Sequence, residues 1–127
     1  MAIWTMIAAL ALQTLPAPGA VRWEAAGEDQ AGRYAIDPAS IARDGDVVRF
    51  LLRAEAIVVQ PDGTNLALVR YEIDCRARTV AAQSADFYRR DGSFAYARRR
   101  GAGWGAAEPI GPQRSRAMVF RLVCPGA

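Results

Sequence analysis

The chain of 127 residues is 52% hydrophobic and 23% charged, and its mean hydropathy is zero. These proportions are typical of one globular domain and exclude a disordered tail or a membrane protein with many spans. All 16 basic residues are arginines, since the sequence contains neither lysine nor histidine. These two absences exclude a histidine-based catalytic pair or metal ligand, a Schiff-base lysine and a P-loop lysine.

Residues 1–20 have the composition of a secretory signal peptide. They carry no charged side chain, and an apolar run over residues 3–12 is followed by small and turn-forming residues. A membrane-spanning helix needs roughly 20 apolar residues, so we predict a leader that is cleaved after Gly19 or Ala20. One mature domain, residues 21–127, then remains. Because the leader lacks a basic residue, an uncleaved anchor or a buried first strand or helix is the alternative.

The two cysteines, Cys75 and Cys124, point to the same compartment. They do not form a Cys-x-x-Cys motif, and no histidine is present to complete a zinc site. In an exported chain such a pair is typical of one structural disulfide. Its loop of about 50 residues would stabilise the fold by about 4 kcal/mol in the chain-entropy model. Two buried free thiols in a cytosolic protein are the alternative.

Alternating apolar residues predict two long antiparallel strands. The first runs from Val47 to Val59 with its even-numbered positions apolar, and the second runs from Leu66 to Cys75 with its odd-numbered positions apolar. Pro61-Asp62-Gly63 predicts a turn between them, because proline presets one dihedral and glycine tolerates positive φ. Cys75 falls on the apolar face, where a disulfide can join the sheet to the element that covers it.

Shorter stretches predict the rest of the sheet. Asp91-Gly92 is a hairpin signal between the last two of these strands. Gly101 to Pro112 is rich in glycine and proline and predicts a loop, with Trp104 as its anchor. The four weaker strands are Val21–Glu24, Tyr34–Ile36, Arg78–Ser84 and Phe94–Arg100.

Two helical segments complete the prediction of an α+β fold. Asp37 is placed as the N-cap and Pro38 as the first residue of one helical turn, which Arg43-Asp44-Gly45 ends. The apolar spacing from Gln113 to Val123 permits an amphipathic helix, with Phe120 off its apolar stripe, and a terminal strand is the alternative. The predicted fold is a mostly antiparallel, twisted sheet with this turn, the C-terminal helix and one disulfide.

Two stretches carry motifs of a known family. The first contains Trp23, Tyr34-Ala35-Ile36-Asp37-Pro38-Ala39-Ser40-Ile41 and Arg43-Asp44-Gly45. The second contains Tyr71-Glu72-Ile73-Asp74-Cys75-Arg76 and, much later, Trp104, Pro109, Ser115 and Cys124. With these motifs the chain resembles the bacterial surface-adhesin protein E-like family over essentially all of the mature domain.

The resemblance implies a curved antiparallel sheet with helical segments packed on it and a disulfide. The family takes its name from an adhesin that binds host extracellular-matrix proteins, and many members are small exported proteins. It has no catalytic residue to carry over to this chain. The segments 54–65 and 84–100 carry no family motif, so a binding surface there would be particular to this protein.

Charge is segregated along the mature chain. Residues 21–75 hold six arginines and ten acids, whereas residues 76–100 hold seven arginines and two acids, a net charge of +5. The second segment also contains four aromatic residues, which are Phe87, Tyr88, Phe94 and Tyr96. Because a guanidinium binds phosphate, sulfate or carboxylate in a bidentate way, we take this segment as the candidate binding surface. Its candidate residues are Arg89, Arg90, Tyr96, Arg98, Arg99 and Arg100.

For an exported protein the expected partners are anionic groups of the envelope or of a host surface, such as lipopolysaccharide phosphates, lipid head groups, glycosaminoglycans or an acidic protein face. A plain solvated hairpin is the structural alternative. Nucleic acid is not expected, because the leader points away from the cytoplasm and no RNA-stacking motif is present. The competing functional interpretation is an accessory periplasmic protein that acts through self-association at a sheet edge.

The sequence predicts no enzyme, metal site or cofactor. The serines, including Ser115, have no histidine or lysine to activate them. Glu72 and Asp74 share a strand face beside Arg70, where a solvated ion pair is expected rather than a glycosidase pair. Asp44-Gly45-Asp46 lacks the remaining ligands of an EF-hand and is expected to be a turn.

Overall fold

The structure is a computed structural model that describes residues 21–101, 103–111 and 114–126. The predicted leader and its cleavage point lie outside the described residues. In chain order the described elements are β1 (Glu24–Glu28), β2 (Gly32–Ile36), a 3-10 turn (Pro38–Ser40), β3 (Ala42–Asp44), β4 (Val47–Ala56), β5 (Thr64–Asp74), β6 (Thr79–Arg89), β7 (Phe94–Arg99), β8 (Glu108–Pro109) and α1 (Arg114–Val123).

The strands form one antiparallel sheet in the order β1-β2-β4-β5-β6-β7. One edge of β4 is shared, because β3 pairs with its start and β2 with its end. The outer edge of β6 is shared in the same way by β8 and β7. The predicted fold, a mostly antiparallel sheet with a helical turn, a C-terminal helix and a disulfide, is confirmed.

Two long strands form the centre of the sheet where alternation predicted them, but their ends differ. β4 ends at Ala56 rather than Val59, because the chain bends at Ile57 and Val58. The backbone N–H of Ile57 makes the last bond of the β2–β4 register, to the carbonyl of Ala31 at 3.1 Å. Ile57 and Val58 are consequently 57% and 69% exposed. Cys75 is the first residue after β5 and lies in a turn rather than in the strand.

Three short elements differ from the predictions because the tertiary structure determines them. β1 begins at Glu24, where the predicted strand ended. β3 includes Arg43 and Asp44, which were expected to end the helical turn, and it forms because β4 offers a free edge beyond the end of β2. β8 lies within the predicted loop and pairs with Thr79 and Val80 at the start of β6.

The core lies between α1 and one face of the sheet, which we call the helix-side face. Val119, Phe120 and Val123 of the helix are buried against sheet residues that include Val48 and Ile73. The prediction of a C-terminal helix is therefore confirmed, and the alternative of a terminal strand is wrong. Placing Phe120 off the apolar stripe was also wrong, since it is 4% exposed.

The end of α1 is fixed to the sheet by a covalent bond and a hydrogen bond. Cys124 follows the last helical residue and forms the predicted disulfide with Cys75, at a Cα–Cα distance of 5.6 Å. The backbone N–H of Cys75 donates to the carbonyl of Asp46, at 2.8 Å. Arg43 Nη1 donates to the carbonyl of Val123, at 2.6 Å, where the helix leaves its last acceptors unpaired.

The 3-10 turn forms as predicted and also joins β4. Asp37 is the N-cap, and its Oδ1 accepts from the backbone N–H of Ala39 at 3.0 Å. Ser40 Oγ donates to the carbonyl of Asp37 and accepts from the backbone N–H of Leu51, at 2.6 and 2.8 Å. The motif residues Asp37 and Ser40 are therefore structural.

Gly32 provides a test of the packing between β2 and β4. A Cβ atom at this position would clash with the carbonyl oxygen of Glu55, which is part of the sheet backbone. We expect Gly32→Ala to lower the free energy of unfolding by about 1–3 kcal/mol, as overpacking does. Gly111→Ala is the matched control, because its Cβ would meet no atom within 4 Å, and it should change stability by less than about 0.5 kcal/mol. Equilibrium urea denaturation measures both, and equal effects would contradict the register.

Candidate functional site

The predicted binding segment forms the β6–β7 hairpin. Phe87 pairs with Tyr96, and Tyr88 pairs with Phe94. The first pair of rings is stacked with centroids 4.6 Å apart, and the second is edge-to-face at 5.7 Å. Phe87 and Tyr88 are consecutive in β6 and point to opposite faces. Their partners are two apart in β7, because the register shifts by one residue between the two pairs, so each face of the hairpin carries one aromatic pair.

Arg89 and Arg90 lie at the turn of this hairpin. Arg89 Nη1 donates to the carbonyl of Phe94 at 2.9 Å. The pKa of the Asp91 carboxyl is lowered, first by hydrogen bonds from Ser93 and also by the nearby Arg89 charge. Arg90 is anchored by its backbone N–H, which donates to a neighbouring turn, and within the described residues its guanidinium forms no hydrogen bond or ion pair. Arg90 is thus the one of this pair that is available to a ligand.

Arg98, Arg99 and Arg100 lie at the other end of the hairpin. Arg99 Nη1 is 3.6 Å from Asp86 Oδ1 and is committed to that ion pair. Arg98 shares a face with Tyr96, because residues two apart in a strand point the same way. Across the described parts of the chain, the guanidinium groups of Arg98 and Arg100 have neither an ion-pair partner nor a hydrogen-bond acceptor.

The six candidate residues therefore form two groups rather than one patch. Arg99 is opposite Ser84 in β6, five residues before Arg89, which is about 17 Å at the rise of a strand. Tyr96 and Arg98 come together on the helix-side face, with Tyr96 37% exposed. Arg89 and Arg90 remain at the turn, at the end of the sheet opposite the disulfide.

The two carboxylates considered for catalysis, Glu72 and Asp74, have structural partners. Glu72 Oε2 accepts from Arg49 Nε at 3.2 Å and from Gln83 Nε2 at 2.7 Å. Asp74 Oδ1 accepts from two backbone N–H groups of the turn that follows β5. No cluster of three or more acidic or cysteine side chains suited to a metal ion occurs among the residues that the structure describes.

A cleft that the sequence did not predict lies between α1 and the helix-side face. Its volume is about 570 Å³. The sheet forms its floor, the helix forms one wall and the β1–β2 turn forms another. The lining residues are Asp29, Gln30, Ala31, Tyr34, Phe50, Leu52, Ala54, Tyr71, Ile73, Val80, Ile110, Arg116 and Val119.

Two phenol groups lie in this cleft. Tyr34 donates from its hydroxyl to Asp29 Oδ1 at 3.1 Å, and burial together with this hydrogen bond raises the pKa of Tyr34 to about 12. Burial also raises the pKa of Tyr71. Alternation placed Tyr71 on the apolar face of its strand, but no periodic signal shows that the helix leaves this part of the floor uncovered.

Comparison with known families supplies the remaining observation. The family model of surface-adhesin protein E matches residues 23–125. The chain belongs to the surface-adhesin protein E family. The resemblance stated from its motifs is therefore confirmed. A search of curated proteins finds no significant match.

Membership of the surface-adhesin protein E family indicates a role in adhesion at the surface and favours binding over catalysis. The family and the disulfide together fit an exported, surface-associated protein. Among the described residues, the helix is neither long nor apolar enough to cross a membrane.

The cleft tyrosines predict how stability depends on alkaline pH. Because the chain contains no lysine and its cysteines form the disulfide, tyrosines are the side chains that titrate between about pH 9 and 12. Tyr34 has a pKa of about 12 in the fold and about 10 when unfolded. Above about pH 10 the folded state therefore binds more protons, so the free energy of unfolding falls as pH rises.

Replacing Tyr34 with phenylalanine should remove the titration step near pH 12 from the near-ultraviolet absorbance of tyrosinate. It should also make stability fall less steeply between about pH 10 and 12. Tyr88→Phe, on the hairpin, is the matched control and should leave that step in place. An unchanged step in the Tyr34→Phe variant would contradict the hydrogen bond to Asp29.

Proposed function

We propose that this protein is a non-enzymatic adhesion domain of the cell envelope that binds anionic groups of a partner surface through its β6–β7 hairpin. The supporting observation is that three arginines of the hairpin have uncommitted guanidinium groups on an exposed edge strand and its turn. They are Arg90, Arg98 and Arg100. Each can bind sulfate, carboxylate or phosphate oxygens in a bidentate way.

The neighbouring aromatic side chain supports the same proposal. Tyr96 lies beside Arg98 on the helix-side face, and its stacking with Phe87 holds the ring in place at the sheet edge. A sugar or peptide that carries an anionic group can pack its apolar part on the fixed aromatic ring while the guanidinium binds the anionic group. The net charge of +5 over residues 76–100 would also increase the rate of encounter with a negative surface.

Export is part of this proposal. The leader over residues 1–20 has the apolar run and the small-residue end of a cleavable signal, and the Cys75–Cys124 disulfide is a bond of oxidising compartments. We propose cleavage after Gly19 or Ala20 and a periplasmic or cell-surface location. The mature domain then begins close to β1.

Binding to immobilised heparin tests the hairpin as a polyanion site. We expect the purified protein to bind at about 0.01 M salt and to lose at least about tenfold in affinity at 0.15 M, where exposed charges are screened. The triple variant Arg90→Gln, Arg98→Gln, Arg100→Gln should lose most of the binding at low salt. Anionic phospholipid vesicles serve as the second probe and separate a lipid surface from a glycan.

A matched triple variant controls for net charge. Arg22→Gln, Arg33→Gln, Arg121→Gln removes the same charge from exposed positions outside the hairpin and should retain binding. Equal losses in the two triple variants would contradict a site at the hairpin and leave only a general charge effect. No binding to either probe, together with a concentration-dependent dimer in sedimentation, would instead support self-association at a sheet edge.

A further inference from the structure

The cleft beneath α1 has the size and the lining of a ligand site. It opens to solvent between the helix and the sheet, and its volume is about 570 Å³. Binding sites for small molecules have volumes of roughly 300–1,000 Å³, apolar and aromatic walls, and a few polar groups that fix orientation. The cleft has each of these properties.

The floor and walls of the cleft offer mainly rings and branched hydrocarbon. Phe50 and Tyr71 are neighbours in the floor, with ring centroids 6.0 Å apart. Ile73 continues the floor, and Ile110 and Val119 stand above it from the loop and from α1. The binding free energy is most favourable when an aromatic or branched apolar group is buried against such a surface.

The hydroxyl of Tyr71 is the polar group that remains for a ligand. Within the described residues it has no hydrogen-bond partner, and no fully enclosed side-chain oxygen or nitrogen there lacks one. The Tyr71 hydroxyl is therefore reached from the cleft, where it can donate and accept. A ligand hydroxyl placed beside it would supply a hydrogen-bond partner.

The charged groups at the mouth already have partners. Arg116 Nη1 is 3.2 Å from Glu108 Oε2. Asp29 Oδ1 accepts from the backbone N–H groups of Ala31 and Gly32, at 2.9 and 3.0 Å, in addition to the Tyr34 hydroxyl. A charged ligand would have to compete with these bonds, so the site favours an uncharged one.

From these observations we infer that the cleft binds a small uncharged molecule with an aromatic or branched apolar body and one hydroxyl that pairs with Tyr71. This site is separate from the arginines of the hairpin and does not depend on the proposed adhesion. It lies on the same face of the sheet as Tyr96, joined to it by the register row Ala54, Ala67, Phe87 and Tyr96.

The test uses two probes that differ by one hydroxyl, 2-naphthol and naphthalene. Each is titrated into the 15N-labelled protein while backbone amide shifts are followed by NMR. We expect shifts that saturate at the β1–β2 turn, in the middle of β4 and β5, and in the first half of α1. The hydroxyl should make 2-naphthol bind about two- to tenfold more tightly than naphthalene, the range of one net hydrogen bond.

Two variants with controls decide the result. Tyr71→Phe should remove the difference between the probes while leaving naphthalene binding unchanged, and its amide spectrum reports whether the fold is intact. Ala54→Leu fills the cleft and should weaken both probes about tenfold. Ala97→Leu, at an exposed position of β7, is the matched control and should weaken neither.

The proposal is overturned if neither probe gives saturable shifts at the cleft or if the shifts map to another surface. It is also overturned if both probes bind the unaltered protein equally, or if Ala97→Leu weakens them as much as Ala54→Leu. Loss of heparin binding in the hairpin variant would leave this result unaffected, so the two proposals fail separately.

Discussion

The disulfide between Cys75 and Cys124 is the constraint on which the arrangement of this domain depends. A sheet with one apolar face needs a cover, and here the cover is a helix of only 10 residues. Isolated helices shorter than about 12–15 residues are marginally stable in water. The covalent bond at the end of α1, together with the Arg43 hydrogen bond to Val123, holds the helix against the core.

Because the disulfide fixes the end of α1, it also determines which part of the sheet the helix leaves uncovered. Val123 and Cys124 are buried at the fixed end of the helix, with exposures of 0% and 2%. Arg116 and Val119, farther from that end, instead form a wall of the cleft. The helix contacts β1 at one edge of the sheet, and the β6–β7 hairpin lies at the opposite edge. One short, covalently fixed cover thus leaves both a partly open apolar cleft and a free basic edge.

Much of this fold is predictable from local patterns. Alternation in β4 and β5, the Asp37 cap and the cysteine pair each depend on residues close together in sequence or on composition. β3 and β8 are not predictable in this way, because each forms only where a long strand offers a free edge. Alternation predicts that β4 continues through Ile57 and Val58, but the chain bends there, beyond the last bond of the β2–β4 register.

The two candidate sites also differ in how much of each can be predicted from the sequence. The arginines of the hairpin are visible in composition, but their division into paired and uncommitted groups depends on Asp86 and on strand register. The cleft depends on how far α1 extends over Tyr34 and Tyr71, which is a property of tertiary packing. Sequence periodicity identifies an apolar face but does not identify the part of it that stays uncovered.

Intact-mass spectrometry of the protein from the periplasmic fraction of a Gram-negative host measures export, cleavage and the disulfide together. We expect a chain that starts at Ala20 or Val21 and is two hydrogen atoms lighter than its reduced form, with thiols that can be alkylated only after reduction. A full-length product in the cytosol, with two thiols that react without reduction, would contradict both the export and the disulfide-held helix.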